Sequence, residues 1–447
     1  MDTQKHLFDN KKMAVLLIPL AIDQLLNSFM GTVDTLVVSS LGSAAISAVT
    51  LVDSINILIV QAFFALASGG TVVCSHYLGC KKQDHAKEAA RQLIFITFCL
   101  SVLIAVICLL FNGQILGLIF GEVEESVMAN AKQYFFFSAI SYPFIALYDD
   151  GSCILRAQEN SSLPMKISIC SNIVNAVLNI WFVWGLHFGV AGSACATMLA
   201  RLFAMFVVMY KLRKPDLEIP VYDYFTIRPQ WKEIRRILNI GIPSGIENSM
   251  FQFGKLAIQS SVSTLGVTAM AAHAMASNFE SFNGIAGIGV GIGLMTVTGH
   301  CLGAGRKDEA VYYVKKFCVA AEIAVAGSCI LLFLLARPIV TLSGMEPESM
   351  RLFLGLLTFI TLVKPIIWVP SFIPAYGLRA AGDVKYTMVV SCLTMWLCRV
   401  SLCIFLIRGL GVGPIAVWIG MFSDWIVRGI FFTRRYMSRK WLEFHVL

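Results

Sequence analysis

Residues 75–92 read SHYLGCKKQDHAKEAARQ, and residues 299–316 read GHCLGAGRKDEAVYYVKK. His76, Leu78, Gly79, Asp84 and Ala86 return as His300, Leu302, Gly303, Asp308 and Ala310, each displaced by 224. The same displacement carries Pro19 to Pro243, Leu41-Gly42 to Leu265-Gly266 and Ala48 to Ala272. Leu155-Arg156-Ala157 returns as Leu378-Arg379-Ala380 at 223, and Gly185 and Gly189 return as Gly409 and Gly413 at 224. One small insertion or deletion therefore separates two otherwise colinear halves. A doubled chain with several apolar spans in each half has the build of a secondary transporter, which moves solute by rocking one half against the other.

Hydrophobic residues make up 57% of the 447, charged residues 14%, and the mean hydropathy is +0.75. A soluble domain would hold about 45–50% apolar and about 25% charged residues. Apolar runs long enough to cross a ~30 Å hydrocarbon core recur along the whole length. They predict an all-α polytopic membrane protein with helices at about 13–38, 46–73, 92–112, 131–155, 163–185 and 190–210, then 238–263, 269–298, 316–336, 350–377, 387–408 and 412–433. That makes twelve transmembrane helices in two six-helix lobes. Six spans per half return the chain to its starting side, so the halves are parallel repeats about an axis along the membrane normal. The expected division is an N-terminal lobe over 1–211, a linker over 212–236 and a C-terminal lobe over 237–447. The N-terminal MDTQKHLFDNKK is followed by no cleavage signal, so the first apolar segment reads as a retained span.

Charge placement tests this topology. The termini and even-numbered loops hold 26 of the 35 Lys and Arg residues, the odd-numbered loops hold Lys132, Arg337, Arg351 and Arg408, and the other five lie inside spans. The positive-inside rule then puts both termini in the cytoplasm of a cell whose plasma membrane the chain spans. The net charge of +8 reflects orientation, and no solvated basic patch suggests a nucleic-acid partner. Thirteen cysteines are scattered singly without CxxC or zinc-type spacing, so neither a disulfide framework nor a metal centre is expected. His76 and His300 recur across the repeat, but adjoin cytoplasmic loops, where packing explains them.

Ionisable groups within hydrocarbon cost roughly 2.5–3.5 kcal/mol on insertion scales and need a partner or a purpose. Asp23, Asn27, Gly31 and Asp34 follow helical spacing and share one face of the first helix. Asn172, Asn175 and Asn179 do the same on the fifth, and Thr197 lies on the sixth. Together they can form a polar chamber within the first half. The seventh helix carries Glu247, Asn248, Gln252, Lys255 and Gln259, with Glu247 the counterpart of Asp23. The eighth adds Asn278, Glu280 and Asn283 beside Phe279 and Phe282. Carboxylates with amides and rings suit an amphiphilic organic cation. Internal pairing is the other reading, with Lys255 neutralising Glu247 or Glu280, and Arg428 pairing Asp424 four residues before it. Asp53, Asp149, Asp150, Glu322, Lys364 and Arg399 also fall in or near spans without a definite assignment. Pro19 and Pro243 occupy matched places where a lost backbone bond can bend a helix, and Gly284–Gly293 permits close helix contact.

Several of these features together resemble the multidrug and toxic compound extrusion (MATE) transporters over essentially the whole chain. They are Pro19 with Val33-Asp34 after it, Leu41-Gly42, Leu78-Gly79 with Leu302-Gly303-Ala304-Gly305, Leu155-Arg156 with Leu378-Arg379, and GVAGSACAT from Gly189 to Thr197. The resemblance implies two six-helix lobes around a V-shaped cavity that exports drugs or metabolites against inward Na⁺ or H⁺. It implies that Asp34 takes the coupling ion, with Asn175 and Thr197 beside it, and that Pro19, matched by Pro243, is the hinge. Where many bacterial relatives carry a second Asp, this chain has Asn179. No cofactor, enzymatic activity or metal other than Na⁺ at Asp34 is expected, and the partners expected are a small amphiphilic substrate and membrane lipid, with the chain a monomer. A substrate cavity is expected from Asn27, Glu247, Asn248, Gln252, Lys255, Asn278, Phe279, Glu280 and Asn283, mixed to acidic in character. The rival within the same superfamily is a flippase for lipid-linked oligosaccharide or lipid precursors, which would need a strongly basic cavity. A membrane-embedded enzyme would need a paired His and Asp or a nucleophile elbow, and none is present.

Overall fold

A computed structural model describes residues 6–121, 123–224, 226–342 and 344–447. The side chains of Phe29, Met30, Thr32 and Val33 lie outside the description, Val33 of the first-helix motif among them. The first half runs α1 (Asn10–Ser39), α2 (Ser43–Gly79), α3 (Gln83–Leu110), α4 (Asn112–Phe120), α5 (Glu125–Ala157), α6 (Ser162–Ile180), a π-helical turn (Trp181–Gly185) and α7 (Gly189–Leu212). The second runs α8 (Trp231–Val262), α9 (Val267–Gly303), α10 (Lys307–Leu342), α11 (Pro347–Ala380) and α12 (Val384–Leu393). A π segment (Thr394–Val400), α13 (Ser401–Ile404), a second π segment (Phe405–Gly409) and α14 (Ile415–Met437) complete it. No strand occurs among the described residues, and each of the twelve expected spans falls on one helical segment, whose ends lie up to nine residues from those expected.

Among the described residues nine of these segments are long and apolar enough to cross a membrane. The helices α1, α5 and α8, of 30, 33 and 32 residues, carry in-span charges that include Asp34, Asp149 and Glu247. On α10, Val319, Ile323, Ile330 and Leu334 are exposed at spacings that share one face. Such a stripe is stable only against hydrocarbon or a partner.

The repeat is visible in the turns. Left-handed φ values occur at Gly42, Lys81, Gly121, Glu159 and His187, and again at Gly266, Gly305, Gly344, Gly382 and Gly411, which follow at 223 or 224. Every second-half position is glycine, which adopts that region without the Cβ clash. The π-helical turn at Trp181–Gly185 recurs at Phe405–Gly409. One element breaks the symmetry. Phe111 leaves the helical region at φ −109, ψ 22, so α3 ends and residues expected as loop form the separate helix α4. In the second half α10 runs on to Leu342. Pro19 and Pro243 lie inside α1 and α8, and α11 carries three further interior prolines, Pro365, Pro370 and Pro374.

The chain condenses into two compact units, Asn10–Gly245 and Ile246–Val446, the latter with the described residues up to Asp9. In the first, α5 packs against α2, α3 and α7, while α6 lies against α1 and α7. Its core includes Val52, Phe63, Phe135 and Tyr142. The start of α8 belongs here, and a Cβ on Gly69 of α2 would lie 2.8 Å from the Ile237 carbonyl, so only glycine permits this approach. In the second unit α11 packs against α9, α10 and α14. Ile258, Val262, Met395, Cys403 and Val417 form an apolar cluster beside it. The N-terminal residues dock on α10, where Phe8 N donates to Tyr313 Oη at 2.9 Å and Tyr313 returns a bond to the Phe8 carbonyl at 2.7 Å.

Candidate functional site

In the first unit, the 4-residue spacing of Asn175 and Asn179 sets both amides on the face of α6 that meets α1. Asn179 Nδ2 donates to Asp34 Oδ1 at 2.8 Å, and Asn175 Nδ2 donates to both oxygens of Asp34 at 3.1 and 3.2 Å. Thr197 Oγ1, from α7, donates to Asn175 Oδ1 at 3.5 Å. The structure thus brings together Asp34, Asn175, Asn179 and Thr197. Asn179 is fully buried, and its Oδ1 has no hydrogen-bond partner. An oxygen so placed can accept from a protonated carboxyl or ligate a hard cation.

The rest of the α1 face is used differently. Asn27 Oδ1 accepts from Ser168 of α6 at 3.2 Å within the first unit, whereas the other residues expected of the substrate cavity belong to the second. Asp23 accepts from Arg156 at 2.9 Å, both side chains nearly buried. Asp34 has no ion-pair partner of this kind among the described residues, but its isolation from positive charge is only partial. Arg201 of α7, anchored by a 2.7 Å bond to Ser141, is a cationic neighbour of both Asp34 and Asp53. Asp53 belongs to a second network, in which Asn56 donates to Asp53 at 3.1 Å and to Ser138 at 3.2 Å, and accepts from Tyr142 at 2.8 Å. Sequence reasoning missed Arg201 because it sits six helices away along the chain from Asp34.

In the second unit a cavity of about 290 Å³ is lined by Glu247, Asn248, Lys255 and Glu280 among others. The remaining expected lining residues lie elsewhere. Gln252 and Asn278 do not reach it, Phe279 packs on Phe353 at 5.1 Å, and Asn283 is fully buried outside the wall. Lys255 does not neutralise either glutamate by direct contact. Arg379 donates to Glu247 at 2.6 Å, and Lys364 Nζ donates to Glu280 Oε1 at 2.7 Å and to its carbonyl at 2.6 Å. Arg428 holds both oxygens of Asp424 at 2.8 and 2.9 Å, the helical pair that the spacing suggests. Lys255 and Arg399 instead lie over the Phe251 ring, 4.9 and 5.3 Å from its centroid.

The cavity is therefore not mixed to acidic. Its wall holds two carboxylates, Glu247 and Glu280, each already in an ion pair, against the four cations Lys255, Arg379, Arg399 and Arg428; Lys364 and Asp424, the partners of Glu280 and Arg428, stand behind it. The glutamates are not free counter-charges for a cation. One of the missed residues was within reach of the sequence: Arg156 and Arg379 recur across the repeat just as Asp23 and Glu247 do, and two co-repeating opposite charges mark a pair. For Lys364 and Arg399, single basic residues in apolar runs, no such signal exists.

The MatE family model matches the chain twice, over residues 19–181 and 243–405, two stretches of 163 residues whose starts lie 224 apart. An uncharacterized transporter of Bacillus subtilis, YisQ, is 27% identical over 440 residues, covering 95% of this chain and 93% of its own length. A probable multidrug resistance protein NorM of Thermotoga maritima is 22% identical over 444 residues, covering 98% and 94%. Among solved structures, an outward-facing multidrug resistance MATE family transporter of the MOP superfamily superposes with a TM-score of 0.89 at 18% identity, covering 96% of each chain. At that identity the superposition speaks for the fold alone.

Proposed function

Starting from a chain that belongs to the MatE family of membrane transporters, we propose that it is a secondary active antiporter. It exports organic cations, drugs or metabolites across the plasma membrane in exchange for Na⁺ or H⁺, with both termini in the cytoplasm and Asp34 as the ion-coupled carboxylate. The observation that carries this reading is the setting of Asp34. Asp23, Glu247, Glu280 and Asp424 are each locked to a basic side chain, whereas the hydrogen bonds to Asp34 among the described residues come from neutral amides, with Arg201 a cationic neighbour outside ion-pair distance. A carboxylate held by amides can exchange its partner for an ion without breaking a buried salt bridge. Na⁺ would draw its oxygens from Asp34, Asn179 and Thr197; a proton on Asp34 would be accepted by an amide oxygen after the amide turns.

Either event removes a negative charge between α1 and α6, and so changes which packing of α1 is favoured, with Pro19 as the point where α1 lacks a backbone bond. The two lobes, over 1–211 and 237–447 with the linker 212–236, would rock between states that differ in affinity for ion and substrate, since a ligand shifts an equilibrium only by that difference. The preference for cations loses the support of Glu247 and Glu280, which are already paired, so drugs and metabolites without positive charge stand equally within the reading. The surplus of Lys255 and Arg399 meets part of the basic character expected of a flippase for lipid-linked oligosaccharide or lipid precursors, but a cavity of about 290 Å³ is small even for drug-sized ligands, so the antiporter reading is preferred.

Ethidium efflux from proteoliposomes, with a Na⁺ or an H⁺ gradient imposed alone, tests the proposal. Asp34→Asn should insert and fold, still bind ethidium, and lose gradient-driven efflux. Full efflux by that variant under either gradient would remove Asp34 from the mechanism.

A further inference from the structure

We infer that the cavity within residues 246–446 binds the anionic group of a small aromatic acid, with Arg399 and Lys255 as its counter-charges. The inference stands apart from ion coupling at Asp34. It begins from the imbalance just described. Glu247 and Glu280 are taken by Arg379 and Lys364, and Arg428 by Asp424, so Lys255 and Arg399 are the cations of the wall without an ion pair of their own, with Glu280 a shared and Asp424 a further negative neighbour. Arg399 is only 7% exposed, and its Nε and NH1 have no hydrogen-bond partner. A buried guanidinium with idle donors is a costly arrangement, and its fork matches carboxylate, sulfonate or phosphate oxygens.

Lys255 sharpens the point. Its ammonium shares the Phe251 ring with the Arg399 guanidinium, so one ring serves two like charges. A ring quadrupole attracts each cation but does nothing to relieve their mutual repulsion. An anion between them does both. The same wall is rich in rings, with Trp368, Phe372, Tyr376 and Trp425 lining the cavity, which favours a ligand with a ring attached to its charged group.

The backbone is arranged for this placement. Arg399 projects from the π segment Thr394–Val400, and such interruptions of an α-helix are frequent at functional sites. The segment is pressed against α14 at Gly420, where an added Cβ would stand 2.9 Å from the Arg399 carbonyl. The repeat offers an internal comparison. At a displacement of 224, Asp34 becomes Ile258, Asn175 becomes Arg399 and Gly31 becomes Lys255. The positions that surround a carboxylate in the first half thus present two positive charges in the second. The same fold unit has been given opposite polarity in its two copies.

Calorimetric titration of the purified full chain with three matched probes tests the inference: 2-naphthoate, the neutral 2-naphthamide and the cation trimethyl(2-naphthyl)ammonium. The naphthoate should bind at least about tenfold more tightly than the amide, and the cation most weakly. Arg399→Gln and Lys255→Gln should each weaken naphthoate by about tenfold while leaving the amide unchanged, and Arg399→Lys should retain most of the affinity. Equal binding of the three probes, tighter binding of the cation, or unchanged naphthoate affinity in a folded Arg399→Gln protein would overturn the inference. Should both substitutions fail to fold, the order of the probes on the unaltered chain still decides. Titration in phosphatidylcholine nanodiscs with and without phosphatidylglycerol separates two sources of anion. Competition by phosphatidylglycerol supports an anion site filled from lipid, and its absence supports one filled by soluble acids. None of these measurements requires a gradient, so their failure is distinct from a failure of coupling at Asp34.

Discussion

Arg379 donates to Glu247 at 2.6 Å, and the two residues are the repeat partners of Arg156 and Asp23, which meet at 2.9 Å. The duplicated chain therefore duplicates a long-range ion pair between its first and fourth long helices. The copies differ in burial: the first pair is almost sealed, at 6% and 3% exposed, and the second is looser, at 18% and 9%. Removing one partner from a sealed pair leaves a buried charge with nothing to balance it.

Arg156→Leu should accordingly destabilise the protein by about 3–5 kcal/mol, and Arg379→Leu by less, because water reaches that pair more easily. The double replacement Asp23→Leu with Arg156→Leu should recover most of the loss. Thermal melts in detergent measure this, and equal destabilisation by the single and double replacements would show that the pair is not the cause.

Asn179 donates the shortest of the bonds to Asp34 from a fully buried position. Asn179→Leu keeps the volume and deletes the donor and the idle oxygen together. Efflux driven by a gradient should fall at least about tenfold, with a stability loss of about 1–3 kcal/mol. Unaltered efflux would confine the coupling group to Asp34, Asn175 and Thr197.

Lys81 and Gly305 occupy equivalent left-handed turns, at φ 57 and 73. A side chain in that region carries a penalty of roughly 1–2 kcal/mol that glycine escapes. Lys81→Gly should raise the melting temperature and Gly305→Lys should lower it, while transport changes little. Opposite shifts would show that Lys81 makes contacts outweighing its backbone strain.

The close approach of Gly420 to the Arg399 carbonyl leaves no room for a methyl group. Gly420→Ala should force α14 from the π segment at a cost of about 1–3 kcal/mol. It should also weaken naphthoate more than naphthamide by displacing Arg399. An equal effect on both probes would mean that the substitution acts on folding alone.

Tyr313 both accepts from and donates to the Phe8 backbone. Tyr313→Phe removes both bonds and leaves the ring contacts in place. Tryptic cleavage at Lys11 and Lys12 should become faster, and an unchanged cleavage rate would show that the rings alone hold the segment.

The sequence by itself determined the class of molecule, because hydropathy, the displacement of 224 and the asymmetry of basic loops are properties of the linear chain. Helical spacing put Asp34 on a polar face of the first helix and Asn175 and Asn179 on a polar face of the fifth span, and the family resemblance grouped them with Thr197. What the sequence could not decide was which charge meets which. Glu247 shares its helix with Lys255, two turns on, yet its partner is Arg379, 132 residues further on; Glu280 is taken by Lys364, 84 residues on. Pairing across helices depends on their rotation and depth, which shift with every packed side chain, and periodicity along one helix carries no record of them. The sign of the second-half cavity is the sum of those pairings. Only when α8, α9, α11, the π segment Thr394–Val400 and α14 were packed together did the surplus fall to Lys255 and Arg399, turning a wall that reads as mixed to acidic along the chain into one that is positive in space.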